Sequence, residues 1–211
     1  MGLTEGQWNE IIEDRKAEYR INPINLYSNR YFRSRRGRRK KQVKAGEILS
    51  NLLEIKSMVD FGCGLGAILE GTLQGQTKKV LGIDACYDRS IRFVPECMQL
   101  FIQKGHLGRK LDLGKWDCVF SIETAEHLLP EEENTFIDNI MNASSRLIVF
   151  RAAMSFNRWH LNPGKSREYW VDLFLKRGCR ELFDEEQKLV RLWKGLVIRY
   201  IRRRIIIMRV L

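Results

Sequence analysis

Short apolar runs alternate along this chain with stretches in which apolar residues recur every three or four positions, a signature of strands and helices in turn. Runs at 58–59, 80–83, 98–102, 117–122, 146–150, 179–183 and 204–210 predict seven strands. Helical spacing covers Glu5 to Arg20 through Trp8, Ile11, Ile12 and Tyr19, and Arg38 to Glu54 through Val43, Ile48, Leu49, Leu52 and Leu53. Further helices are predicted after Gly66, at 88–93, from Pro130 to Ala143, from Ser166 to Arg177, and from Glu185 to Ile201, where Leu189, Leu192, Trp193, Leu196, Val197, Tyr200 and Ile201 form one stripe. Local signals agree with these bounds. Thr4 and Gln7 can form a capping box, Asn22-Pro23 breaks the first helix, and Pro130 precedes three glutamates as helix starts prefer. The alternation predicts an α/β fold with a doubly wound, mostly parallel seven-stranded sheet, whose ligand lies at the carboxyl ends of the strands.

The most specific chemistry sits at the first of those ends. Val59-Asp60-Phe61-Gly62-Cys63-Gly64-Leu65-Gly66 delivers an acid and three alternating glycines to a helix start. Glycine can take positive φ and lets backbone approach a ligand, and the helix's first N–H groups face the same space. The spacing G-x-G-x-G does not match the dinucleotide fingerprint G-x-G-x-x-G. A second strand ends in Asp84, placed to accept both hydroxyls of a ribose, and the pair Asp60 and Asp84 suits a cationic nucleoside.

DFGCGLG followed by GIDACYDRS resembles motifs I and II of the class I S-adenosylmethionine-dependent methyltransferases. Ser121-Ile122-Glu123-Thr124-Ala125-Glu126-His127-Leu128 is similar to the SxEVxEHL segment of the small-molecule and glycan-associated branch. His160-Leu161-Asn162 and Tyr169-Trp170 resemble the GHxN and YW elements of a widespread, little-characterised group of bacterial and viral methyltransferases. The resemblance runs from about Ser57 to Leu211 and implies a Rossmann-like core over 57–211, with residues 1–56 as a basic helical lid. It implies S-adenosylmethionine as cofactor. Gly62, Cys63, Gly64 and Gly66 would approach its methionine part with Asp60 and Ile122, and Asp84 and Ala85 would hold the ribose. Gln103 stands where the family usually has an acid for the adenine amino group, and its amide oxygen can accept there. Asp112 lies too close to the fourth strand for that place.

Length and composition fit one such domain. The 211 residues, 44% hydrophobic, suffice for a single α/β core, and no repeat or low-complexity linker divides them. No apolar run reaches about 18 residues and no secretion leader is visible, so no membrane span is expected and the default compartment is cytoplasmic. Cys63, Cys86, Cys97, Cys118 and Cys179 are scattered singly, with no histidine at ligand spacing. That argues against a disulfide framework and against structural zinc, and no metal is expected. The net charge of +11 is mostly local: Arg30 to Lys44 holds nine basic residues and no acid, leaving +2 for the rest. With Tyr27, Tyr31 and Phe32 interleaved, this run is either a solvated arm or a site for nucleic acid, a nucleotide-linked sugar or another anionic partner.

Methyl transfer to a hydroxyl requires alignment of the acceptor and removal of its proton. The candidates are His127, His160 and Glu123, each in a segment that follows a strand, with Trp159, Asn162 and Arg151 as acceptor contacts; His106 reads as a surface residue. After the fourth strand the chain reads Ser121-Ile122-Glu123-Thr124, without the D/N-P-P-Y/F/W motif of amino-methylating nucleic-acid enzymes, and no Pro-Cys nucleophile is present. The expected acceptor is a sugar, glycan or other small hydroxylated molecule. The alternatives are an RNA or DNA methyltransferase using 30–44, and a non-catalytic basic binding module on the same fold.

Overall fold

A computed structural model describes residues 4–21, 28–157, 159–197 and 204–211. Seven strands form one sheet in the order β3-β2-β1-β4-β5-β7-β6: β1 (Ser57–Phe61), β2 (Lys79–Asp84), β3 (Ile102–Lys104), β4 (Trp116–Ile122), β5 (Ser144–Arg151), β6 (Cys179–Glu181) and β7 (Ile206–Val210). The first five are parallel, and β7 runs antiparallel to both β5 and β6. This is the doubly wound, mostly parallel, Rossmann-like sheet that the alternating pattern predicts. Because β3 and β4 flank β2 and β1, the chain reverses its direction of winding beside β1, where such sheets leave a crevice for ligand.

Successive residues of the central strands point to opposite faces, and both faces are apolar. Met58, Cys118, Phe120, Leu147, Val149 and Ile207 enter one core with Leu49, Leu69 and Trp193; Val59, Val119, Ile148, Phe150 and Met208 enter the other with Phe136, Ile140, Trp170 and Phe174. The first layer contains α3 (Arg39–Leu52), α4 (Ala67–Gln74) and α9 (Phe183–Leu192); the second contains α7 (Glu133–Ala143) and α8 (Arg167–Leu175). In the first layer α3 and α4 cross backbone to backbone. A Cβ at Gly46 would lie 2.2 Å from the Ile68 carbonyl oxygen, and one at Gly71 would lie 1.9 Å from that of Val43.

Before the sheet come α1 (Glu5–Ile21) and α2 (Asn29–Arg35), the latter leading through a 3₁₀ turn into α3. The expected capping box opens α1: Thr4 N–H donates to Gln7 Oε1 at 2.9 Å, and Gln7 N–H to Thr4 Oγ1 at 3.3 Å. Tyr19 of α1 is buried with Leu129 and Leu161, which seats the helix beside the loops that follow β4 and β5. The basic run is helical rather than a loose arm, since Ser28 caps α2 and α3 continues to Leu52. Tyr27 and the Asn22-Pro23 break lie outside the described residues.

Three expectations need correction. Residues 98–102 are not a strand: Pro95 starts a turn of helix, α6 (Glu96–Gln99), which follows a short α5 (Tyr87–Ser90). Leu100 is 88% exposed there, so the apolar run has no continuous buried face, and β3 begins only at Ile102. The last helix stops at Leu192, itself 49% exposed, because the chain turns at Gly195 with φ +82°; Tyr200 and Ile201 lie outside the described residues. His106 is not a surface residue, for its Nε2 lies 3.0 Å from Tyr19 Oη and 3.5 Å from Glu132.

Candidate active site

The carboxyl ends of β1, β2 and β4 lie side by side, with Asp60 paired to Gly82 and to Phe120 and Phe61 paired to Ile83. The turn that leaves β1 holds Gly62, Gly64 and Gly66 at φ +85°, +55° and +65°. At Gly62 the requirement is double, because a Cβ there would also lie 2.2 Å from Thr124 Oγ1. That hydroxyl donates to the Phe61 carbonyl at 3.1 Å, and Ser121 Oγ donates to the same oxygen at 3.0 Å, locking the end of β4 to the glycine turn. On the other side Arg39 of α3 donates to the Leu65 carbonyl at 2.8 Å and pairs with Glu70. Arg39→Ala is expected to cost about 1 kcal/mol and lower the melting temperature by about 2–4 °C, read in a thermal melt.

Asp84, ending β2, accepts from Gly64 N–H through one oxygen and from Cys86 N–H through the other, each at 2.7 Å. Each oxygen keeps a second lone pair for a ligand. Burial raises the Asp84 carboxyl above its ordinary range, and these two N–H groups pull it back. Asp60 stands well above its ordinary value, first through burial and then through the nearby charge of Asp84; burial likewise raises the Cys63 thiol. Two buried acids with no ion pair among the described residues make this a place for positive charge.

Two neighbouring cavities open around the turn. The smaller, about 110 Å³, is bounded by Gly62, Gly64, Asp84 and Ala85, with Tyr19, Tyr31, Phe32 and Leu107 as aromatic and apolar walls. The larger, about 700 Å³, runs from Asp60, Cys63 and Ile122 past Glu123 and His127 to Trp159 and His160. Tyr31, Phe32, Gly62, Gly64, Glu123 and His127 border both. Arg35, Arg38 and Lys41, from the basic run, line the larger one.

Glu123 is one of two non-glycine residues with positive φ among those described, at +60°, a strained conformation held by its N–H to the Arg151 carbonyl at 2.9 Å and an ion pair with the Arg151 guanidinium. His127 and His160, 33 positions apart, meet edge to face with ring centroids 5.0 Å apart. The carbonyl of Trp159 lies 2.7 Å from His127 Nδ1, so that nitrogen carries the proton and Nε2 is the basic one. Burial, and secondarily His160, push His127 down to about 3, so its ring is neutral. His160 Nδ1 likewise meets the Ser155 carbonyl at 2.5 Å, and its Nε2 accepts from Asn157 Nδ2 at 2.9 Å. Burial lowers His160 as well.

Among the residues proposed from sequence, Asp60, Gly62, Cys63, Gly64, Ile122, Glu123, His127, Trp159 and His160 border the larger cavity, while Asp84 and Ala85 border the smaller. Gly66 forms the N-cap of α4 beneath them. Gln103 sits exposed on β3 and Arg151 is buried behind Glu123; neither borders a cavity. Asn162 also stands behind the surface, donating through Nδ2 to Glu133 at 2.8 Å and through its N–H to the Glu126 carbonyl at 3.1 Å. The sequence did not single out Thr124 or Tyr19 as site residues, nor Glu126, which is fully buried beside the two histidines. The E-x-x-E spacing was the available signal for Glu126.

No family model matches the sequence, and no curated protein does. Among solved structures the chain is similar to a TehB-like SAM-dependent methyltransferase from Corynebacterium glutamicum, at 20% identity over 65% of this chain and 74% of that one, with a TM-score of 0.48. It is similar also to StiE O-MT, at 18% identity over 81% and 72% and a TM-score of 0.46. A third likeness is to the N-terminal domain of EvdMO1, solved in the presence of SAH and D-fucose, at 13% identity and a TM-score of 0.44. That match takes in 55% of this chain and spans about half, 52%, of the EvdMO1 domain.

Proposed function

We propose that the protein is an S-adenosylmethionine-dependent methyltransferase acting on a hydroxyl of a sugar, glycan or other small molecule. The observation that carries the reading is Asp84: a buried carboxylate at the end of β2, fixed through both oxygens by backbone N–H groups, beside a glycine turn and an aromatic-walled cavity. The residues fit the cofactor. A Cβ at Gly64 would meet no atom within 4 Å, so the turn presents open space to a ligand, and the two buried acids favour a cationic one. When bound, S-adenosylmethionine supplies an electrophilic methyl group on a sulfonium.

The chain's own residues do the rest. Asp84 accepts the ribose hydroxyls, while the walls around Tyr31, Phe32 and Leu107 take the base. Exposed Gln103 has no part in that reading. Asp60 and the turn face the methionine portion. Acceptor enters the larger cavity along Glu123, His127 and His160, and α1 with α2 and α3 covers the cofactor side of the site.

Arg35, Arg38 and Lys41 along that cavity favour an acceptor carrying phosphate, such as a nucleotide-linked sugar. Replacing all three by glutamine is expected to slow methylation of a phosphate-bearing acceptor and flatten its salt dependence, with cofactor affinity unchanged. The decisive experiment gives labelled methyl donor and separated glycan, small-molecule and nucleic-acid fractions to the full chain, with S-adenosylhomocysteine binding measured alongside by calorimetry. Label in the glycan or small-molecule fraction is expected. Label in nucleic acid alone would move the acceptor to RNA or DNA, and absence of cofactor binding would sink the enzyme.

A further inference from the structure

Glu126 presents a problem that the proposed methyl transfer does not solve. It is 0% exposed, and neither carboxylate oxygen makes a hydrogen bond of ordinary geometry among the described residues, although the backbone N–H groups of Glu126 itself and of Ala153 lie close enough to favour its charged form. A buried carboxyl without a partner is costly, and in native structures such a group usually serves an ion or a function. Its oxygen lies 3.8 Å from His127 Nε2. One donor atom each from Glu126, His127 and His160 fall within 4.8 Å of one another.

The second observation is the orientation of the two rings. Each has its Nδ1 against a backbone carbonyl, Trp159 for His127 and Ser155 for His160, which leaves Nε2 as the basic nitrogen on both. That is how proteins orient histidines for a metal: the far nitrogen donates to a fixed acceptor, setting tautomer and ring plane. Donors bound to one ion at about 2.0–2.2 Å stand about 3–3.4 Å apart, so small side-chain rotations close the set. Asn157, whose amide now donates to His160 Nε2 at 2.9 Å, has to turn aside.

We propose that Glu126, His127 and His160 form a binding site for a divalent first-row transition ion at the floor of the acceptor cavity, with open positions that take the acceptor's hydroxyl groups. Two imidazoles and one carboxylate select manganese, iron, cobalt, nickel or zinc over magnesium. A bound ion lowers the pKa of a coordinated hydroxyl, whose proton then passes to solvent water, and it fixes the oxygen's direction. The Arg151 guanidinium stands near His160 but is ion-paired with Glu123, which reduces its repulsion of a cation. The linear spacing hid this set, because two ligands come from the turn after β4 and the third from the loop after β5.

The inference rests on the proposed methyl transfer for its purpose but not for its test. Chelator-stripped full-length protein is titrated with Co²⁺ and followed by its d–d absorption. One equivalent per chain is expected, without a thiolate charge-transfer band, and Mg²⁺ in equal concentration should not displace it. Glu126→Gln should weaken binding at least about 10-fold, and His160→Ala and His127→Ala should abolish the d–d signal, with S-adenosylhomocysteine affinity near wild type in His160→Ala. If His127→Ala fails to fold, His160→Ala, on the loop, decides. No d–d signal in wild type, a signal that survives His160→Ala, or one carried by thiolate and lost with Cys97→Ser would each overturn the site. Cobalt binding without S-adenosylhomocysteine binding would sink the methyltransferase and leave the metal; the reverse would sink the metal alone.

Discussion

Alanine at Asp84 is expected to weaken S-adenosylhomocysteine about 100- to 10,000-fold in calorimetry while the protein remains folded. The magnitude follows from what the side chain does. Two hydrogen bonds from ribose hydroxyls to a charged acceptor are worth about 1.5–3 kcal/mol each, and about 1.4 kcal/mol is a factor of ten in affinity. The loss includes a second part. Asp84 also accepts from Gly64 and Cys86 N–H groups, so removing it frees the glycine turn that the ligand must lie against. Stability should change little, because burial already works against this carboxyl, as its raised pKa records. Asp84→Asn keeps an acceptor oxygen and the volume, and should fall between the two. Equal affinity in wild type and Asp84→Ala would remove the ribose role and with it the main support for a nucleoside ligand here.

The sequence made the sheet legible wherever a strand is buried on both faces. Strands β1, β2, β4 and β5 read as apolar runs because each contributes to both cores, as with Met58 and Val59 or Ile148 and Val149. It misled at the sheet's edge, where β3 has three residues, two of them exposed, and Pro95 turns the preceding apolar segment into helix. The acids and glycines of the first turn were visible because local spacing carries their chemistry. Distant partnerships were not: nothing in the linear order announces that the loop after β5 folds back until His160 meets His127, or that Glu126 stays buried without a donor. Ser28 caps α2, but the unbroken positive charge after it disguised the stretch before Arg38 as an arm.

Gly71→Ala is expected to destabilise the protein by about 2–3 kcal/mol and to lower its melting temperature by about 4–12 °C, although alanine is the better helix former. In an exposed helix the same exchange would gain about 1 kcal/mol. Here the new methyl group would start 1.9 Å from the Val43 carbonyl oxygen and 2.9 Å from the Glu47 nitrogen, so α3 and α4 must separate, and the obstruction is backbone that cannot change rotamer. Overpacking of this kind costs about 1–3 kcal/mol or more. For a domain of this size each kcal/mol is worth about 2–4 °C. Gly46→Ala meets the same crossing from the other helix, at the Ile68 carbonyl, and should act in the same direction. Gly37→Ala is the control, since a Cβ there touches nothing within 4 Å and its φ is ordinary; it should melt within about 1 kcal/mol of wild type. The crossing matters beyond stability. Helix α4 starts from the glycine turn, while α3 holds that turn through Arg39 and brings Lys41 to the larger cavity. Prising the two apart should therefore weaken S-adenosylhomocysteine at temperatures well below the melt. Melting of Gly71→Ala at the wild-type temperature would show that the helices do not meet at this pair and would remove the close-packed crossing from the support of the site.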